Sequence, residues 1–349
     1  SGSENEVAKP VESMIFEMPS GNNAPIYYSK DLKEFKISFA EAAKYLCTMN
    51  GFSTAMSGGY PSTVNGAPPY YFIIHGDNLF ETLVINSVDK SNEIAKIGYN
   101  SPRAAWRSKN DLRDNEVSTT SVIGALTLRP RRITLISDEN SETVSKIWMG
   151  PGENYTGYSL WRDPHVALRE GKEGYTNIKP SEHKEVWQEL GVIFDRGAKV
   201  TLEPITLNNL IQIKGERGIV NTTVYGVITN KASYKNTIRE NITIPTNIIA
   251  DNEKTQCFVE CIKWVELVSA EIRSGIKNID KSKFLRKAKV KLFSDITNEI
   301  AEGDFSDEKQ VNEIYNNWKE FLYKSAIETY NENILVNDLN ATKLKQYSL

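Results

Sequence analysis

The chain has 349 residues, 40% of them hydrophobic and 25% charged, with a formal net charge of −3. That balance belongs to a folded globular protein with enough chain for a sizeable core, and it argues against disorder. It also argues against a free-standing duplex binder, which is usually basic because phosphate neutralisation supplies its affinity. A subunit that reads a short element while partners hold the nucleic acid tolerates such a charge.

No apolar run approaches the ~20 residues of a membrane-spanning helix, and the opening SGSENEVAKP lacks the basic and apolar regions of a signal peptide. Ser1-Gly2-Ser3 has the character of a cloning remnant. With no signal pattern, Cys47, Cys257 and Cys261 fit a reducing, cytoplasmic setting. Cys257 and Cys261 stand four apart on a helical pattern, and packing explains them better than a metal half-site lacking two further ligands.

In chain order, ESMIFEMPSGNNAPIYY (12–28) is a short apolar run followed by a Pro/Gly/Asn loop. SFAEAAKYLCTM (38–49) predicts a helix with a Ser38/Glu41 capping box and an apolar stripe of Phe39, Ala42, Ala43, Leu46 and Cys47. A glycine loop occupies 51–66, followed by a strand at Tyr70–His75 and a helix from Asn78 with Leu79, Leu83 and Val84 on one face. SVIGALTL (121–128) and RRITLI (131–136) read as strands separated by Arg129-Pro130. LWRDPHVALREGKEGYTNI (160–178) reads as a loop, a strand, a glycine turn and another extended piece. TTVYGVITNKASYKNTIRENITIP (222–245) reads as two strands around TNKAS.

Beyond Pro245 the period becomes helical. Phe258, Cys261, Ile262, Val265, Val268, Ile272 and Ile276 define one helix, 283–301 a second and 308–330 a third, while 333–349 suits a short fourth. The predicted fold class is α+β: a mixed, mainly antiparallel region at 1–248 and a four-helix-type bundle at 249–349.

Catalytic signatures are missing. His75, His165 and His183 sit in no metal-binding spacing, and neither a P-loop nor a G-x-S-x-G element occurs. Asp163 and His165 flank a proline, which suits a structural turn. The reading is a non-enzyme without cofactor or metal; a metal-dependent hydrolase is the weaker alternative.

The stretch GFSTAMSGGYPSTVNGAPPYYFIIHGDNLFETLVIN (51–86), GYSLWRDPHVAL (157–168), VYGVITNKAS (224–233) and the helical C-terminal third occur in an order that resembles CasA. CasA is the large subunit of the type I-E CRISPR surveillance complex, Cascade. The family carries an N-terminal region before the point where this chain begins, so the resemblance implies a shortened or processed chain. It also implies partners: the other Cascade subunits, guide RNA, double-stranded target DNA and a recruited nuclease-helicase.

Four elements carry over by position. The glycine loop (Ala55, Met56, Ser57, Gly58, Gly59) corresponds to the loop that lies against the minor groove at the protospacer-adjacent motif, where glycine lets backbone approach closely. Ser57 replaces a glycine of the family pattern. The hairpin tip, Asn230 and Lys231, corresponds to a wedge beside that motif. Lys231 stands where the family often has glutamine, and lysine donates but cannot accept. A family lysine before the tryptophan-proline stretch aligns near Asn154, with Lys146 the nearest basic residue upstream. Phe16, Glu17 and Met18 correspond to a loop that touches the guide RNA and docks the subunit.

Lys283, Arg286, Lys287 and Lys291 form a basic helix surface that suits phosphate contacts or plain solvation; Arg129, Arg131 and Arg132 suit phosphate contact or protection of a strand edge. A solvated turn competes for each loop, and a core position competes for Phe16. The same resemblance accommodates a scaffold subunit that does not read DNA.

Overall fold

The computed structural model describes residues 7–18, 35–56, 58–89, 104, 116–117, 121–137, 142–156, 161–172, 174–194, 201–215, 218–230, 233–275 and 280–336. The first half interleaves short strands and helices: β1 (Lys9–Pro10), a 3-10 turn (Val11–Met14), β2 (Ile37–Ser38), α1 (Phe39–Phe52), β3 (Tyr71–His75), α2 (Leu79–Ile85), β4 (Glu116–Val117), α3 (Val122–Leu126), β5 (Arg131–Ser137), β6 (Thr143–Pro151) and β7 (Asn154–Tyr155). Then come β8 (Leu168–Gly171), β9 (Gly174–Asn177), α4 (Val186–Ile193), β10 (Thr201–Leu202), α5 (Ile205–Lys214) and the long hairpin β11 (Ile219–Asn230) and β12 (Ser233–Pro245). Helices follow: α6 (Thr246–Ala250), α7 (Asn252–Gly275), α8 (Ser282–Lys291), a π-helical turn (Leu292–Ile296), α9 (Thr297–Glu302) and α10 (Glu308–Val336).

The sheets are antiparallel apart from the parallel pair β4–β7. Strand β6 pairs with β5 along one edge and with β1 and β2 along the other. Two three-stranded sheets have the orders β10-β8-β9 and β12-β11-β3. The fold is thus a mixed α+β protein with a C-terminal helical region, as the sequence predicts. The expected fourth helix falls mostly outside the described residues; its first part, to Val336, continues α10.

Local chemistry explains the elements. Ser38 caps α1: its hydroxyl accepts from the Glu41 amide at 3.2 Å and Glu41 accepts from the Ser38 amide at 2.9 Å, a box contributing ~1 kcal/mol. The buried line of α1 differs from the expected stripe. It runs through Ala42 and Met49 with Tyr45 and Leu46 beside it, whereas Phe39 is 44% exposed and Cys47 is exposed.

Helix α2 departs further. Leu79, Phe80, Leu83 and Val84 all face out, and it is Ile85 that reaches the core. Within 121–128 the short helix Val122–Leu126 stands in place of the expected strand. The Ser121 hydroxyl accepts from the Gly124 amide at 3.0 Å, and this cap outweighs the β-branched Val122 and Ile123.

One core joins the sheet β12-β11-β3 to the helices. Trp187 and Leu190 of α4 meet Phe258 and Ile262 of α7, Phe284 and Ala288 of α8, and Trp318 and Leu322 of α10. Gly191 lets α4 and α7 close up, since a Cβ there would lie 2.9 Å from Ile262 Cγ2. A smaller core under α1 holds Met14, Ile37, Met49, Val144 and Ile147.

The expected helix 283–301 is one path with a π-turn inside it, where the Thr297 hydroxyl donates to the Leu292 carbonyl at 2.6 Å. Trp318 is fully buried and its indole Nε1 donates to the Cys261 carbonyl at 2.9 Å. Trp318→Ala is expected to lower unfolding free energy by about 3–5 kcal/mol, to be read as a drop in urea midpoint without a change in slope. Among the described residues, no helix is long and apolar enough to cross a membrane.

Candidate nucleic-acid interface

The glycine loop is closed by backbone and seated on a sheet. The Met56 amide donates to the Tyr60 carbonyl at 3.0 Å, and between them Gly58 (φ 81°) and Gly59 (φ 77°) take the left-handed conformation that glycine adopts without penalty. Met56 is half exposed, and a Cβ added at Gly59 would meet nothing within 4 Å, so this backbone faces open space. Ser57 lies outside the described residues.

Beneath the loop, the Tyr60 hydroxyl donates to the Met149 carbonyl of β6 at 3.0 Å and accepts from Lys9 Nζ of β1 at 3.5 Å. Arg131 of β5 is only 5% exposed. Its guanidinium donates to the carbonyls of Thr54 and Pro61, one on each arm of the loop, and lies 5.1 Å from the Tyr60 ring centroid. Burial pushes its pKa down to about 10, partly opposed by Tyr60, so it remains charged at neutral pH.

Arg131 is therefore a buried loop support, in place of the expected phosphate contact or strand-edge guard. Arg129 pairs with Glu153 at 3.3 Å. Gly152 makes that corner possible, because a Cβ there would sit 2.1 Å from the Arg129 carbonyl oxygen.

The turn after the loop is fixed by a buried polar network. Asn65 Nδ2 donates to Asp163 Oδ2 at 2.8 Å and to the Tyr71 hydroxyl at 3.1 Å, while Asn65 Oδ1 accepts from Trp161 Nε1 at 2.8 Å. The Tyr71 hydroxyl in turn donates to the Gly51 carbonyl at 2.8 Å. Burial raises the Tyr71 phenol pKa, with the Asp163 charge adding to the rise. Asp163 Oδ1 accepts from the His165 amide at 2.9 Å, and His165 Nδ1 lies 3.4 Å from it. The Asp163/His165 pair is thus consumed in structure. Among the described residues, no three His, Cys, Asp or Glu side chains gather to hold a metal.

The hairpin is the second candidate element. Strand β3 pairs with β11 only from Asn221 to Tyr225, and the β11–β12 ladder continues alone from Gly226 to the Asn230–Ser233 pair, with a bulge at Ile228/Thr229. Asn230 is exposed at the end of that ladder, and Lys231 falls outside the described residues.

The Phe16 loop lies beside this hairpin: the Thr237 hydroxyl of β12 donates to the Glu17 carboxylate at 3.3 Å. Glu17 is exposed, Met18 is buried, and Phe16 packs against the smaller core. Lys146 and Asn154 are both exposed, on β6 and β7.

The basic surface of α8 is largely compensated. Lys283 pairs with Glu332, Lys287 with Glu328 and Lys291 with Asp295, each at 2.5 Å. Arg286 is exposed, without an ion-pair partner among the described residues. Exposed pairs of this kind contribute ~0–1 kcal/mol, so they leave the lysines free to exchange partners.

The sequence reading named Arg131 in another role and missed Tyr60, Asn65 and Trp161. One signal existed for Arg131: on a strand it shares the face of Ile133 and Leu135, which pack on the smaller core. Nothing local marks the network, whose Asn65–Asp163 bond alone spans 98 positions.

Loops and a hairpin with an exposed end, held on small sheets beside a helical layer, define a class of protein whose distinctive groups lie on an open surface. A family model described as CRISPR-associated protein Cse1 matches residues 3–328, and the chain belongs to that family. Its fold is similar to Thermus thermophilus CasA (Cse1), with TM-score 0.71 and 20% identity over 99% of this chain and 74% of that one. It is also similar to Cse1 from Acidimicrobium ferrooxidans, with TM-score 0.69 and 16% identity over 98% and 73% of the two chains. A chain of a CRISPR RNA-guided surveillance complex matches with TM-score 0.61 and 16% identity over 92% and 76%. Comparison with curated proteins returns no match.

Proposed function

We propose that this chain is the large subunit of a type I-E CRISPR surveillance complex and reads the protospacer-adjacent motif of duplex DNA from the minor groove. In this reading Met56, Ser57, Gly58 and Gly59 approach the groove. Asn230 and Lys231 act as the wedge, and the exposed Glu17 marks the loop that docks against guide RNA, with Phe16 and Met18 holding that loop to the smaller core. Residues 1–248 carry these reading elements, and the helices of 249–349 offer Arg286, Lys283, Lys287 and Lys291 to phosphate. The subunit works without catalysis, in the cytoplasm, alongside the other subunits, and supports recruitment of a nuclease-helicase.

The observation that carries the reading is the pair of left-handed glycines, exposed at the tip of a loop tied to a sheet. Such a tip brings amides and carbonyls to a groove floor that side chains would block. The local duplex opening needs only to start strand exchange, because the guide–DNA heteroduplex replaces the lost pairing energy.

The test is target-DNA binding by guide-loaded complex with and without this chain, on duplexes carrying an intact or scrambled motif at one stated salt concentration. Tightening that requires both chain and motif supports the reading. Co-purification without any effect on binding supports the scaffold alternative, which the ion-paired α8 surface favours.

Lys231→Ala is expected to slow duplex opening more than it weakens complex assembly. Stopped-flow fluorescence of a base analogue beside the motif reads the opening, and equal rates would remove the wedge assignment.

A further inference from the structure

We infer that Arg131 and Tyr60 form a clamp that sets the width and tilt of the glycine loop, making Arg131 a positioning residue for motif discrimination; this rests on the DNA-reading function proposed above. Pro61 has no N–H to contribute across the loop. The donors come from below: Arg131 Nη2 takes the Thr54 carbonyl and Nη1 takes those of Pro61 and, at 3.0 Å, Pro130. The guanidinium is planar and its N–H directions are fixed, so the two arms of the loop are held at one separation.

Tyr60 completes the clamp. Two cations lie near its ring, the Arg131 guanidinium at 5.1 Å and Lys9 Nζ at 5.5 Å from the centroid. Its hydroxyl reaches β6 through Met149. The loop is thereby joined to β1, β5 and β6 at once. Among the described residues Arg131 faces no carboxylate, so its charge is met by carbonyl dipoles and an aromatic face alone. A buried cation is an expensive way to close a loop. The cost is repaid if the loop must present one geometry to its ligand, because preorganisation lowers the ordering penalty on binding.

Lysine in place of Arg131 keeps the charge but offers one nitrogen where two are needed. In guide-loaded complex containing the full chain, R131K is expected to reduce the ratio of intact-motif to scrambled-motif affinity by about tenfold. That ratio does not move when a variant merely lowers the amount of folded protein. Tyr60→Leu, which removes the ring, is expected to lower the same ratio, while Tyr60→Phe, which keeps it, restores most of it.

Gly58→Val serves as the reference in the same assay. If Gly58→Val loses discrimination while R131K and Tyr60→Leu keep it, the clamp is overturned and loop reading stands. If wild type shows no motif dependence, or Gly58→Val keeps it, the loop-reading function itself fails. If R131K does not enter the complex, the Tyr60 pair decides alone.

Discussion

Asp163→Ala is expected to destabilise the protein by about 3 kcal/mol and to unsettle the glycine loop at the same time. Asp163 is 3% exposed and accepts from Asn65 and from the His165 amide. Removing the carboxylate leaves both donors dry, and Asn65 then loses the anchor from which it holds Trp161 and Tyr71. Tyr71 in turn fixes the Gly51 carbonyl at the end of α1, just before the loop. Urea unfolding reads the stability, and Trp161 contributes an intrinsic fluorescence change. Asp163→Asn keeps an acceptor for the His165 amide but sets one amide donor against another at Asn65, so an intermediate loss is expected. A loss below ~1 kcal/mol for Asp163→Ala would mean that water replaces the carboxylate and that the network is not a foundation.

Gly58→Val is expected to abolish motif preference while costing only ~1–2 kcal/mol of stability. The two effects have separate origins. A Cβ at Gly58 would find the Tyr60 ring at an ordinary 3.7 Å, so no steric clash threatens the fold. The penalty lies in φ 81°, which a β-branched residue resists, and the loop must rearrange to relieve it. Gly58→Asn separates conformation from access, because asparagine tolerates the left-handed region yet adds a side chain to the loop surface. Loss of preference in both variants would place the requirement on close approach. Loss in the valine variant alone would place it on backbone shape, and unchanged preference in both would reduce the loop to a turn.

The sequence predicted most clearly what depends on neighbours a few positions apart. The Ser38/Glu41 box, the hairpin around TNKAS and the helices of 252–336 are local patterns, and each formed. Residues 121–128 misled because Val122 and Ile123 carry strand propensity while the deciding group, the Ser121 hydroxyl, precedes them. Helix α2 misled because amphipathic spacing locates an apolar face but not what covers it: Leu79, Leu83 and Val84 remain exposed. Within the candidate interface, the glycines were visible as glycines. What holds them was not, since Arg131 reaches across 77 positions to Thr54 and 70 to Pro61. Burial of an arginine is a tertiary fact, and only its shared face with Ile133 and Leu135 hinted at it.

The shared core between sheet and helices ties their fates together. Trp187 and Val224 come from the strand-rich half and Phe258 and Trp318 from the helical one, yet they belong to one dry cluster. The change of sequence character near Pro245 therefore marks no energetic seam. Damage done by an amino-acid change deep among the helices is felt at the base of the hairpin, because the same apolar contacts support both.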